Sequence, residues 1–148
     1  MMTTSIKLLS DGIIKFDGGS IFGQVPKVSW EESVTTDRKN RINLGLNCML
    51  MQMGNKNILV NTGVGSKELD HEREAFGLMP SRLLKGLKSV GLTARDIDMV
   101  ILSDLHFDHC GGCTRLDRSG NLEVTFPKAR YFVQEASWEE ACKPSERY

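Results

Sequence analysis

The run "DMVILS", Asp98 to Ser103, most narrows what this chain can fold into. Met99, Val100, Ile101 and Leu102 are apolar without interruption, the pattern of a strand covered on both faces. Such a strand sits inside a sheet, and with strands and helices interleaved along the chain the class is α/β or α+β with mixed strand order. The residues after it are as restrictive. The chain holds 3 histidines, and His106 and His109 both stand in "SDLHFDHCGG", together with Asp104 and Asp108.

If "DMVILS" ends a core strand, Asp104 and His106 lie just beyond its carboxyl end, two positions apart, and project to one side. Asp108 and His109 then come off the next turn, where Gly111 and Gly112 let the backbone bend and pass close to its neighbours. Strand ends of this kind are where α/β proteins place their sites. Imidazole and carboxylate together suit zinc, iron or manganese. Four such groups can be shared between two ions roughly 3.5–4 Å apart, an arrangement that activates water for hydrolysis. A plain polar turn is the bland alternative, and the combination of spacing, strand and paired glycines outweighs it.

The rest of the chain interleaves strands and helices. "SIKLLSDGIIKF" suggests one or two strands around a turn at Asp11 and Gly12. "DGGSIFGQVPKVSW" has the composition of a shaped surface loop. "RINLGLNCMLMQMGNKNILVNTG" reads as a hairpin, with Leu44 to Met53 and Ile58 to Val60 flanking a turn at residues 54–57. Met49, Met51 and Met53 alternate on one strand face, as core or inter-sheet packing would require. "PSRLLKGLKSVGL" places Leu83, Leu84, Leu87 and Val90 on one helical face, with Pro80 and Gly91 at its boundaries. Thr93 and Asp96 form a short capping pattern. "LDRSGNLEVTF" turns between short strands, "ARYFVQ" is a strand, and "EASWEEAC" is a helix halted before Pro144. Trp30 and Trp138 are expected to anchor packing, and "KELDHERE" to be a solvated charged face.

Composition removes several classes. A formal net charge of zero and a pI near 6.8 give no basic stripe for nucleic acid. No apolar run approaches the ~20 residues that span a bilayer, and the start lacks a secretory pattern. Four cysteines (Cys48, Cys110, Cys113, Cys142) are too scattered for a disulfide framework, so a reducing cytoplasm is expected.

"SDLHFDHCGG" resembles the H-x-H-x-D-H signature of the metallo-β-lactamase superfamily, and "ILVNTGVG" resembles its upstream D-T-G strand end. "DGGSIFGQVPKVSW", "RINLGLNCML" and "SWEEACKPSERY" are similar to the branch of N-acyl-homoserine lactonases and related lactone or ester hydrolases. The resemblance implies an αββα sandwich of which residues 1–148 form a single domain truncated at the carboxyl end: one mixed sheet with flanking helices. It implies one or two zinc ions, with iron or manganese as alternatives. His106 would serve the first metal, and Asp108 and His109 the second. Asp108 would also orient the attacking water and hand a proton to the leaving group. The loop around Phe22, Gly23 and Val25 would line the substrate entrance.

Three departures qualify that picture. Asp104 stands where the family has histidine, so it either ligates a harder ion or leaves the first site weak. Asn61 replaces the D-T-G aspartate behind the ligands, keeping the shape and losing the charge; a simple turn asparagine is the other reading. The family's further ligands come from a second half, and the remaining histidine, His71, lies upstream in a charged segment. The expected activity is hydrolysis, a metal-bound hydroxide attacking a lactone, ester or similar small carbonyl compound. One rival is a catalytically incomplete half-domain that binds a partner or is vestigial. Another is a thiol redox protein using Cys110 and Cys113. Self-association or a complementing carboxyl-terminal half would be the partner, with neither nucleic acid nor membrane involved.

Overall fold

The computed structural model of the chain describes residues 3–67 and 70–143. Strand β1 (Thr4–Asp17) pairs antiparallel with β2 (Arg41–Met53), and β2 turns at Gly54 and Asn55 into β3 (Lys56–Val60). Between β1 and β2 lie helices α1 (Gly18–Phe22) and α2 (Lys27–Trp30). After β3 come α3 (Asp70–Ala75) and α4 (Leu83–Ser89), then β4 (Met99–Ile101), which pairs parallel with β3. Helix α5 (Phe107–Cys110) comes next, then the antiparallel hairpin of β5 (Thr114–Leu116) and β6 (Leu122–Val124). Strand β7 (Arg130–Phe132) returns to lie parallel beside β4, and α6 (Glu135–Cys142) ends the described chain. The result is a mixed sheet of order β1-β2-β3-β4-β7 with helices, the mixed α/β class expected.

One face of this sheet is buried. Leu9, Cys48, Leu50, Leu59 and Val100 meet Leu83 and Leu87 of α4, with Ile97, Leu102 and Phe126 closing the cluster. A smaller cluster of Ile14, Leu46 and Val64 packs with Phe16 and Phe76 at the other end of β1. The opposite face is open. Register places Leu8, Met49, Val60, Ile101 and Phe132 in one row across five strands, and Ile6, Met51, Ile58 and Met99 in the next. Leu8 is 72% exposed and Ile6 61%, so the alternating methionines line an uncovered apolar sheet surface.

Two segments differ from the sequence reading. "SIKLLSDGIIKF" is one strand, one of the two numbers expected, but the expected turn is instead a bulge between Ser10 and Gly12. Gly12 takes φ 134°, and Asp11 turns inward to become 2% exposed. "DGGSIFGQVPKVSW" is two short helices rather than a loop. Asp17 accepts a hydrogen bond from the Ser20 amide at 3.1 Å, an N-cap masked in the sequence by the glycines beside it. Trp30 is a packing anchor, 5% exposed and stacked on Phe22, whereas Trp138 is 58% exposed on α6, none of whose residues is buried. Thr93 and Asp96 form the reciprocal capping box. Pro144, expected to halt α6, and Glu68 and Leu69 of the charged run lie outside the described residues. Among the described residues no helix is long and apolar enough to cross a membrane.

Candidate metal centre

Strands β3 and β4 run parallel, so their carboxyl ends finish side by side. The Asn61 amide donates to the Ile101 carbonyl at 2.9 Å, carrying the ladder one step past β3. Asn61 then takes φ 60°, a left-handed conformation that asparagine tolerates better than most residues. Its carboxamide turns back across the gap, where Oδ1 accepts from the Ser103 amide at 3.0 Å. The two strand ends are thereby stitched together by one side chain.

The histidine turn is fastened to the same place. The amide and hydroxyl of Thr62 donate to the His109 carbonyl at 2.8 and 3.1 Å, and the Gly112 amide donates to the Gly63 carbonyl at 3.0 Å. This approach is backbone against backbone. A Cβ on Gly112 would lie 2.2 Å from the Thr62 carbonyl oxygen, and one on Gly111 would lie 2.3 Å from that of Val64. Paired glycines are therefore a steric requirement of the turn, as the sequence suggests. The Lys67 ammonium donates to the Gly111 carbonyl as a further tie.

From these anchors the four candidate ligands meet as linked pairs. Asp104 Oδ1 lies 2.9 Å from His106 Nδ1 and also accepts from the His106 amide at 2.9 Å. Asp104 Oδ2 lies 3.0 Å from His109 Nδ1. Across the same ring, His109 Nε2 faces Asp108 Oδ2 at 3.4 Å. Ser103 Oγ sits among them, 2.9 Å from His109 Nδ1 and donating to Asp104 Oδ2 at 3.0 Å. Asn61 Nδ2 donates to Ser103 Oγ at 3.1 Å. Desolvation pushes the Asp104 carboxyl pKa up, but hydrogen bonds from the His106 amide and ring and from Ser103 outweigh it and hold it below the ordinary value.

The sequence predicts four donors around one small volume. They do share a volume, yet among the described residues no group of three or more histidine, cysteine, aspartate or glutamate side chains is placed to hold a metal ion. The Nδ1 atoms of His106 and His109 instead lie 2.9 and 3.0 Å from the two oxygens of Asp104. One pair nevertheless fits a divalent cation. Ligands roughly 2.0–2.2 Å from a tetrahedral zinc stand about 3.4 Å apart. That is the spacing between His109 Nε2 and Asp108 Oδ2. Nitrogen and carboxylate oxygen are also the donor chemistry such an ion takes.

Phe22 stacks on Trp30 at 4.6 Å, the Gly23 amide donates to the Gly19 carbonyl and the Val25 amide to that of Phe22, so this segment's bonds run within itself. His71 lies exposed on α3. Burial raises the thiol pKa of both Cys110 and Cys113, away from the thiolate that redox exchange uses. Sequence reasoning misses two contributors. Ser103 reads only as the end of a strand, although its place beside Asp104 is an available signal. Phe107 lies between the ligands and joins Phe16 and Phe76, at ring separations of 6.3 and 5.0 Å, in an aromatic cluster linking the turn to β1.

The half-open mixed sheet carries imidazole and carboxylate side chains beyond the ends of two parallel strands. Residues 43–139 match the family model of the metallo-beta-lactamase superfamily, and the chain belongs to that superfamily. It is similar to the crystal structure of a probable metal-dependent hydrolase from Staphylococcus aureus, at 34% identity and a TM-score of 0.88, over 97% of this chain and 51% of that one. It is also similar to AidC, a dizinc quorum-quenching lactonase, at 26% identity and a TM-score of 0.72, over 96% of this chain and 45% of the other. A quorum-quenching N-acyl homoserine lactone lactonase matches at 25% identity and a TM-score of 0.66, over 100% and 52%. The chain spans about half the length of these structures.

Proposed function

We propose that residues 1–148 form a single domain contributing the amino-terminal half of a cytoplasmic metal-dependent hydrolase that opens a lactone, ester or similar small carbonyl compound. The observation that carries this reading is the facing of His109 Nε2 and Asp108 Oδ2 at 3.4 Å. His109 Nδ1 stands among Ser103 Oγ, Asp104 Oδ2 and Asn61 Nδ2 at 2.9, 3.0 and 3.3 Å, and Nε2, on the far side of the ring, faces a carboxylate oxygen. A ring nitrogen and a carboxylate oxygen at that spacing are the donor types a divalent cation takes.

Asp108 and His109 would hold one cation, zinc in the first instance and iron or manganese as alternatives, and His106 would serve a second. Such a cation, when bound, polarises a carbonyl oxygen and makes water a nucleophile at neutral pH. Asp108 takes the further role of orienting the attacking water through its carboxylate and passing a proton to the departing oxygen. Asn61 acts behind the ligands, fixing Ser103, and through it the His109 ring. The loop around Phe22, Gly23 and Val25 stands as the proposed rim of the substrate entrance. The match to a dizinc lactonase supports the lactone class.

Zinc titration by calorimetry, paired with hydrolysis of an N-acyl-homoserine lactone and a simple aryl ester, tests the reading. Zinc should bind the wild-type chain, and Asp108→Asn and His109→Ala should each weaken binding roughly tenfold or more, the loss of one of few ligands. A wild-type chain that takes up no zinc, manganese or iron overturns it. A second reading, that this half alone binds metal loosely and turns over nothing, is favoured by the absence of a three-donor group among the described residues. It predicts zinc binding without hydrolysis.

A further inference from the structure

We propose that the cleft between the start of α4 and the β5–β6 hairpin is a second binding site, for a small carboxylate such as a short-chain fatty acid. None of Asp104, His106, Asp108 and His109 lines it, so the site goes beyond the proposed hydrolysis and does not depend on it. The open cleft measures about 290 Å³, below the ~300–1,000 Å³ of sites for drug-sized molecules, and so suits a compact occupant. Thr125, just past β6, is the residue that most needs one. It lines the cleft, it is 4% exposed, and among the described residues its Oγ1 is buried without a hydrogen-bond partner. Buried hydroxyls are as a rule bonded, because one left unmade keeps its whole desolvation cost. The Thr125 amide is satisfied, donating to the Cys113 carbonyl at 2.9 Å, and this fixes the residue at the cleft wall.

The rest of the wall selects the ligand. Ser66, Thr114 and Arg115 line it with Thr125, and Leu83 and Leu84 add apolar surface. Arg115 Nε donates to Glu123 Oε1 at 2.8 Å, which steadies the guanidinium and leaves its terminal nitrogens as donors. The neighbouring Asp11 carboxylate is already engaged by the Gly65, Arg82 and Leu83 amides and by the Ser81 hydroxyl. Hydroxyls and a guanidinium suit an anionic, acceptor-rich head, and the leucines suit a short hydrocarbon body. A small carboxylate has both. Phosphate lacks the apolar part, and an ordered water would satisfy the Thr125 hydroxyl while leaving the arginine and leucines unused. Thr62 and Gly112 also border the cleft, and these tie the histidine turn to the chain after β3 through the His109 and Gly63 carbonyls. An occupant therefore packs against the residues that hold that turn.

Titration of the nitrogen-15-labelled chain with sodium butyrate at constant pH and ionic strength, followed by amide chemical shifts, tests the proposal. The amides of Ser66, Leu84, Thr114 and Thr125 should move together and saturate, with those of Thr62 and Gly112 following. Arg115→Gln and Thr125→Val should each weaken butyrate binding roughly tenfold or more, the loss of a hydrogen bond to a charged group. Thr125→Val should also keep or raise the thermal midpoint, since it removes a buried hydroxyl that has no partner among the described residues. Should that variant fold poorly, Arg115→Gln carries the test, because it breaks only a half-exposed ion pair. Sodium phosphate and n-butanol separate the head from the tail, and each should bind more weakly than butyrate. Phosphate binding as tightly as butyrate overturns the carboxylate assignment. Shifts that never saturate, or butyrate affinity unchanged in both variants, overturn the site itself.

Discussion

Gly112 and Gly120 offer a controlled comparison of two ways a glycine matters. At Gly112 an added methyl would strike the Thr62 carbonyl, which is backbone and part of the tie to the histidine turn. Gly112→Ala should therefore cost about 1–3 kcal/mol in urea unfolding and weaken metal binding as the turn is pushed away. Gly120 has φ 81° with nothing near its Cβ position, so Gly120→Ala should cost only the left-handed conformation, about 1–2 kcal/mol, and leave metal binding alone. Equal metal affinity in both variants would remove the steric argument for the glycine pair. Cys48 supplies a pH prediction. Burial and the Asp11 carboxylate push its thiol pKa from 9.0 up to about 12. The folded pKa is raised, so stability is intact below pH 9, where both states keep the proton, and is lost as pH climbs toward 12 and only the unfolded chain releases it. Unfolding midpoints measured from about pH 8 to about pH 11 should fall for wild type and fall less steeply for Cys48→Ala.

Between elements, Asp11 in the bulge of β1 is a joint of several hydrogen bonds. Its carboxylate accepts from the Gly65 amide at 2.9 Å, from the Arg82 and Leu83 amides at 3.2 and 3.1 Å, and from the Ser81 hydroxyl. It joins β1, the loop after β3 and the start of α4. Asp11→Ala would leave those amides without their acceptor, and should cost about 2–4 kcal/mol, with Asp11→Asn between it and wild type. An unchanged urea midpoint would show the joint to be dispensable. None of this was legible in "LSDGII", where Asp-Gly reads as a turn: the pull on Asp11 comes from partners 54 to 72 residues away. Local signals did better where the cause was local. The apolar run into β4, the hairpin at Gly54 and Asn55, and the Thr93–Asp96 box all rest on neighbours in sequence. The histidine turn was legible for the same reason, since its residue types and glycines are contiguous. The pairing of both rings onto Asp104 was not, because it depends on where Asn61 and Ser103 meet across two strands.

For the molecule as a whole, one face of the main sheet leaves Ile6, Leu8, Ile101 and Phe132 exposed. Its two rows of aliphatic, methionine and phenylalanine side chains exceed the scattered apolar exposure normal for a monomer. We propose that a complementing half or a second copy covers it. Sedimentation velocity on the 148-residue chain should show concentration-dependent association, and the pair Leu8→Lys with Ile101→Lys should reduce it without lowering helix or strand content. A chain that stays monomeric across that range with the face unaltered would count against the idea. The parallel pairing of β3 with β4 has a kinetic corollary. Val60 must find Ile101 across the whole intervening crossover before Asn61 can reach Ser103. A slip of one residue would turn the side chains to the wrong face and separate those two groups. Cation uptake should therefore lag behind sheet formation during refolding, reporting when the strands have found their proper alignment.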